Sequence, residues 1–181
     1  MTEAPLLFFH DTSVLINFHR PGLIPTLGLL LRGNVRWTAT IRTECQRKEQ
    51  QLGLVGLVDA SSELLGEPLI PEEGEHATIR QLRTQMASPG DHPQQHLGEA
   101  ESITLIQKRS LRAVFVTDDG QATGWAAPID CVGTWRLIRF AHRRDLVTQS
   151  QAVRLWQSFV DSGGTPPHEI RTKALFEASL G

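Results

Sequence analysis

The chain has 181 residues, of which 40% are hydrophobic and 21% charged, the composition of one globular domain with a substantial core. Its net charge of −2 excludes the global positive field that drives non-specific binding to nucleic acid, so any such contact must come from local basic residues or a bound cation. The longest apolar run near the start, residues 6–9, is far shorter than the roughly 20 residues that span a bilayer, and no basic segment precedes it. These features predict a soluble, cytoplasmic protein with no membrane partner. Cys45 and Cys131 lie far apart and lack CxxC spacing, which points away from a disulfide framework or a thiolate zinc site and toward two small buried hydrophobes.

In chain order, the apolar run 6–10 predicts a strand that ends at Asp11-Thr12-Ser13, where helical spacing begins through Val14, Leu15 and Phe18. Pro21-Gly22 breaks that helix, and Ile24, Leu27, Leu30 and Leu31 define a second one that Gly33-Asn34 ends. Alternation over 35–39 predicts a second strand, followed by a helix over 40–52. A short strand is expected over 64–70, a helix over 72–86 and a loop over 88–93. A helix over 98–110 precedes the apolar strand 113–117, and another short strand is expected over 129–132. Helices over 133–142, 149–162 and 168–180 complete the chain.

Strands that read as continuous apolar runs and alternate with helices predict a three-layer α/β sandwich with a mostly parallel central sheet, formed as a single domain over 1–181. The helices after about residue 145 form a C-terminal extension suited to a partner or a dimer surface. In sheets of this kind ligands bind outside the carboxyl ends of the strands, where strand order reverses. Asp11 ends the first strand, Asp118 and Asp119 end the strand 113–117, and Glu44 and Glu99 lie early in helices that lead back to the same edge.

Each acid has an ordinary structural explanation. Asp11 is placed to cap a helix, Glu44 and Glu99 to face a helix N-terminus, and Asp118-Asp119-Gly120 to make a tight turn. Their recurrence at one edge is more informative, because clustered carboxylates repel one another and are usually compensated by a hard cation with oxygen ligands. Mg or Mn fits such a set, and the chemistry that uses it is phosphodiester hydrolysis. Neither a GxxxxGK[ST] loop nor a GxGxxG turn occurs, which argues against a nucleoside triphosphatase or a dinucleotide enzyme. A haloacid-dehalogenase type of phosphohydrolase would need a second Asp where this chain has Ser13.

The run from Phe8 to Ile16 containing Asp11-Thr12-Ser13, then Thr40-x-x-x-Glu44, Leu97-Gly98-Glu99-Ala100, and Phe115-Val116-Thr117-Asp118-Asp119 resembles the PIN-domain nuclease family in order and spacing over about residues 6–140. The resemblance implies a Rossmann-like parallel sheet and a catalytic Mg or Mn site made by Asp11, Glu44, Glu99 and Asp119, with Asp118 an alternative ligand to Asp119. Thr12, Ser13 and Thr117 would orient ligands or water. It also implies an endonuclease acting on RNA or DNA, with ribonuclease the expectation, and admits the toxin of a toxin–antitoxin pair, a homodimer, or a nucleic-acid-binding or complex-forming module with little activity. Gly120-Gln121-Ala122 stands where many relatives carry a basic residue, and the chain extends beyond a minimal member after about residue 145.

Arg42 and Lys48 share the helix of Glu44, with Arg47 beside them, and are the expected substrate contacts; Arg139, Arg143 and Arg144 form a second basic cluster. Glu101, two residues from Glu99, projects from another side of its helix. His92 and His96 have the spacing of a helical zinc pair, but Pro93 opposes a continuous helix there. Trp37, Trp125, Trp135 and Trp156 are mostly expected in the core, with base stacking the alternative.

Overall fold

The structure is a computed structural model that describes residues 4–161 and 165–181. Strand β1 (Leu7–His10) leads at Asp11 into α1 (Thr12–His19), followed by α2 (Ile24–Leu31) and β2 (Val35–Arg36). Helices α3 (Ala39–Leu52), α4 (Leu57–Leu65), α5 (His76–Met86) and α6 (Leu97–Lys108) follow before β3 (Ala113–Val116). Then come α7 (Gly120–Ala126), β4 (Asp130–Val132), α8 (Thr134–Arg143), α9 (Gln149–Asp161) and α10 (Lys173–Ala178). Ser162, the last residue of the helix expected over 149–162, lies outside the described residues.

The four strands form one parallel sheet in the order β2-β1-β3-β4. The chain leaves β1 toward β2 on one side and leaves β3 toward β4 on the other. The crevice at the carboxyl ends of β1 and β3 is therefore the point where strand order reverses. Their register is tight there: His10 pairs with Val116, and the Asp11 N–H donates to the Val116 carbonyl at 2.9 Å.

Alternation along the central strands separates two cores. Phe9 and Phe115 point to one face, where Ile79 and Met86 of α5, Ile103 of α6 and Ala122 of α7 cover them. Val116 and the half-buried Phe8 and Val132 belong to the other core, with Val14, Phe18, Leu27, Ile41 and Ile138. Helices thus flank the sheet on both faces, the arrangement a parallel sheet requires.

Several elements differ from expectation. The strand over 35–39 shrinks to Val35–Arg36, because Trp37 turns inward, is 1% exposed, and donates its indole N–H to the Gly66 carbonyl at 2.8 Å. The strand over 64–70 does not form. Leu57, Ser61 and Leu65 recur every four residues and bury one side of α4 instead, while the remaining segment touches the sheet margin only at a single Thr38–Leu69 bridge. Helix α7 was not expected; Asp119 starts it by accepting the N–H groups of Gln121 at 2.7 Å and Ala122 at 3.3 Å.

The helices after residue 145 are part of the main core and not an appendage. Leu155, Trp156, Ile170 and Phe176 join the same cluster as Phe18 and Leu137. Trp135 meets Phe159 and Phe176 edge-on at 5.0 and 5.7 Å, and the Trp156 indole N–H donates to the Ile170 carbonyl at 2.8 Å. Among the described residues no single helix is long and apolar enough to cross a membrane; α1 and α2 reach the length only together, bent by 114°, and their apolar residues other than the exposed Leu29 lie mostly in the core.

Trp156→Ala is expected to reduce stability by about 3–5 kcal/mol, the cost of emptying a packed aromatic site, measured by urea unfolding. A loss below about 1 kcal/mol would show that these helices are not integral to the core.

Candidate metal centre

Asp11 sits in the sheet crevice by virtue of a local device. Its backbone is extended (φ −82°, ψ 156°) as it leaves β1, and its carboxylate caps α1 by accepting the Ser13 N–H at 3.4 Å and the Ser13 hydroxyl at 2.6 Å, both on Oδ2. The expected capping role and a place in the acidic cluster therefore coexist in one side chain. Thr12, the next residue, donates its hydroxyl to Glu44 Oε2 at 2.7 Å and ties α3 to the same crevice.

Glu99 enters from the first turn of α6. The approach of α6 to α3 depends on Gly98, where an added Cβ would lie 2.5 Å from Ile41 Cδ1 and 3.0 Å from Glu44 Oε1. Two residues on, Glu101 faces another way and accepts the Thr40 N–H at 3.0 Å and the Thr40 hydroxyl at 2.5 Å. That carboxylate pins the first turn of α3, satisfying one of its free amides, while Glu99 on the neighbouring side of α6 faces the acids.

Asp119 supplies the fourth acid. Thr117 positions it by accepting the Asp119 N–H on its hydroxyl at 3.1 Å. Oδ1 of Asp119 is taken by the start of α7, and Oδ2 has no hydrogen-bond partner among the described residues. Ligand atoms of Glu99, Asp119 and His96 all lie within 4.8 Å of one another, close enough to share one metal ion.

Asp118 has a different job from the one expected as an alternative ligand. Its Oδ2 accepts the Asn17 amide at 2.9 Å and the Thr134 hydroxyl at 2.5 Å, and its Oδ1 accepts the Thr134 N–H at 2.7 Å. Both oxygens are thus engaged in joining α1 to the start of α8. Gly133 makes room for this contact, since a Cβ there would fall 2.8 Å from Asp118 Oδ1.

The acids perturb one another as their closeness requires. Burial pushes the Glu99 carboxyl up to about 8, assisted by the charges of Asp11, Glu44 and Asp119. Burial likewise lifts Glu44 to about 7, with Asp11 adding to the effect and the Thr12 hydrogen bond opposing it. Asp11 is raised by burial, against its hydrogen bonds from Ser13. His10, fully buried on β1 against the backbone of Phe8, is pulled down to about 4 by burial.

Asp11, Glu44 and Glu99 open onto a cavity of about 570 Å³, whose walls also include Arg47, Lys48 and His96 but not Asp119. Of the two expected substrate contacts, Lys48 lines this cavity and Arg42 does not. On a helix, positions 44, 47, 48 and 51 share a face, whereas 42 is half a turn away; accordingly Arg47 and Gln51 line the cavity with Lys48. Residues 92–96 form its outer wall, held by Arg83, which donates to the His92 carbonyl at 2.7 Å and the Gln95 carbonyl at 3.1 Å, and by Arg47 bonded to Gln94. The helical His92–His96 pair that Pro93 argues against does not form: His96 is the left-handed N-cap of α6 (φ 63°). The second basic cluster is elsewhere: Arg139 and Arg143 border a separate groove with Phe8, Leu30 and Phe140, and Arg144 lies over the Phe140 ring at 4.6 Å. Trp37, Trp135 and Trp156 are buried, whereas Trp125 on α7 is 40% exposed. Cys45 is buried and Cys131 half-buried, both as free thiols.

Because Glu44 and Glu99 have folded pKa values of about 7 and 8 against an ordinary 4.5, the folded chain binds protons more tightly than the unfolded chain. Their stabilisation is complete below about pH 4.5 and is lost as pH rises through the folded values. The melting temperature of cation-free protein is expected to fall between about pH 5 and pH 8, and Glu99→Gln to flatten that fall. Calorimetry showing the same slope in both proteins would contradict the raised Glu99 carboxyl.

Compared with protein-family models, curated proteins and solved structures, the chain matches none.

Proposed function

We propose that the chain is a PIN-like, divalent-cation-dependent endonuclease that hydrolyses phosphodiester bonds, with RNA the preferred substrate. The observation that carries this reading is the position of Glu99, which feels the charges of Asp11, Glu44 and Asp119 together at the reversal point of a parallel sheet. Carboxylates so arranged are a donor set of hard oxygens, the set that holds Mg or Mn. A bound divalent cation would supply an activated water and offset the charge that builds on the scissile phosphate.

The chain's own residues have separable tasks in this reading. Asp11, Glu44, Glu99 and Asp119 hold the cation, and the protons retained by Glu44 and Glu99 in its absence leave as it binds. Ser13 fixes the Asp11 carboxylate, Thr12 fixes Glu44 and Thr117 fixes the backbone of Asp119, so the donors need little reorganisation. Arg47 and Lys48 stand on the Glu44 helix at the cavity wall, where positive charge faces the approach of a phosphate backbone. The overall charge of −2 leaves these local cations as the source of electrostatic attraction, so cleavage should weaken as salt rises.

Asp11→Asn should lower Mg- or Mn-stimulated cleavage of single-stranded RNA by roughly two orders of magnitude or more, with circular dichroism unchanged. Equal rates in the two proteins would refute the site, and faster cleavage of single-stranded DNA than of RNA would overturn the substrate.

A further inference from the structure

We propose that His96 is a nitrogen ligand of this centre, positioned by Asp91, and that the centre consequently prefers a first-row transition cation to Mg²⁺. The proposal deepens the reading of the site as a cation centre and does not depend on which polymer is cleaved.

Three observations converge on His96. A ring nitrogen lies within 4.8 Å of carboxylate oxygens of both Glu99 and Asp119. The Nε2 atom lies 3.4 Å from Asp91 Oδ2, and the imidazole side chain is only 10% exposed. The other ring nitrogen, Nδ1, has no hydrogen-bond partner among the described residues. One nitrogen held by a carboxylate and the other left free is the arrangement by which metal-binding histidines are oriented and made more basic.

The wall around Asp91 is itself fixed. Asp91 Oδ2 also accepts the Ser88 N–H at 2.7 Å, and Arg83 clamps the carbonyls of His92 and Gln95 on either side. His92 also lines the cavity, but its Nδ1 accepts the Gln94 N–H at 3.2 Å and is thereby engaged. His96 is therefore the histidine available to the acids. Sequence spacing alone points elsewhere, to a helical pair with His92; the ligand group is formed instead by His96, three residues before Glu99, and by Asp119 from across the crevice.

An imidazole in the donor set changes which ion the centre selects. Mg²⁺ holds oxygen ligands and water and gains little from a nitrogen donor, whereas first-row transition ions take imidazole together with carboxylate. The site should accordingly bind Mn²⁺ at least about tenfold more tightly than Mg²⁺. Removal of the imidazole should erase most of that difference, and Asp91→Asn should weaken Mn²⁺ binding by about tenfold while leaving the nitrogen coordinated.

The test is pulsed electron paramagnetic resonance of the full chain loaded with Mn²⁺ alone, with no nucleic acid present. Wild-type protein and His92→Gln should show coupling of Mn²⁺ to a nitrogen nucleus, histidine-selective ¹⁵N labelling should change its isotope pattern, and His96→Gln should abolish it. Calorimetric titration of the same proteins with Mn²⁺ and Mg²⁺ reads the preference. Mn²⁺ bound by wild-type protein without histidine coupling, coupling retained in His96→Gln, or a Mn²⁺-to-Mg²⁺ ratio unchanged in that variant would each overturn the proposal. Because wild-type protein carries the spectroscopic readout, misfolding of a variant does not remove the test. Nitrogen coupling in a protein that cleaves neither RNA nor DNA would refute the nuclease reading and leave this one standing; nucleic-acid cleavage without nitrogen coupling would do the reverse.

Discussion

Repulsion among Asp11, Glu44, Glu99 and Asp119 is the constraint to which the surrounding structure responds. Burial and neighbouring charge raise Glu99 to about 8 and Glu44 to about 7, so the folded chain stores an unfavourable interaction that either protons or a cation can relieve. Around it, small polar residues hold three of the four in place: Ser13 on Asp11, Thr12 on Glu44 and Thr117 behind Asp119. Gly98 permits the helix carrying Glu99 to come against Glu44. An acidic cluster maintained against its own electrostatics is a local departure from maximal stability.

The fold makes that departure sustainable. Two separate apolar layers grip the parallel sheet, and the strand ends carrying Asp11 and Asp119 are adjacent because β1 and β3 are neighbours in the sheet. Helices α9 and α10 contribute Trp156 and Phe176 to the same layer as α1 and α8, and Asp118 links α1 to the start of α8 through Asn17 and Thr134. The element that presents Asp11 is consequently braced from two sides. Glu101 and Thr40 brace α3 in the same way from α6.

Much of this was legible in the sequence where chemistry and strand ends coincide. Asp11 follows its apolar strand directly and Asp119 lies three residues past the end of β3, and parallel pairing fixes where those ends lie. Other features depend on information that local patterns do not carry. The segment 64–70 looks like a strand from its apolar residues, yet the four-residue recurrence of Leu57, Ser61 and Leu65 draws its first two residues into α4, and the rest reaches the sheet margin through an isolated bridge at Leu69. Helix α7 is masked by Gly120 and Gly124 and exists because Asp119 caps it. Helical phase separates Arg42 from Glu44 and places Arg47 beside it, a distinction open to sequence analysis once the helix is accepted. Asp118 differs from Asp119 only through contacts with Asn17 and Thr134, 101 and 16 residues away, which no local motif announces. His96 joins the acids only because a left-handed turn precedes α6.

Anomalous diffraction from a crystal soaked in Mn²⁺ tests the central claim most directly. The account predicts one strong peak enclosed by Asp11, Glu44, Glu99 and Asp119. A peak remote from these residues, or a cluster bridged by the side chains of Arg47 and Lys48 with no bound ion, would contradict it.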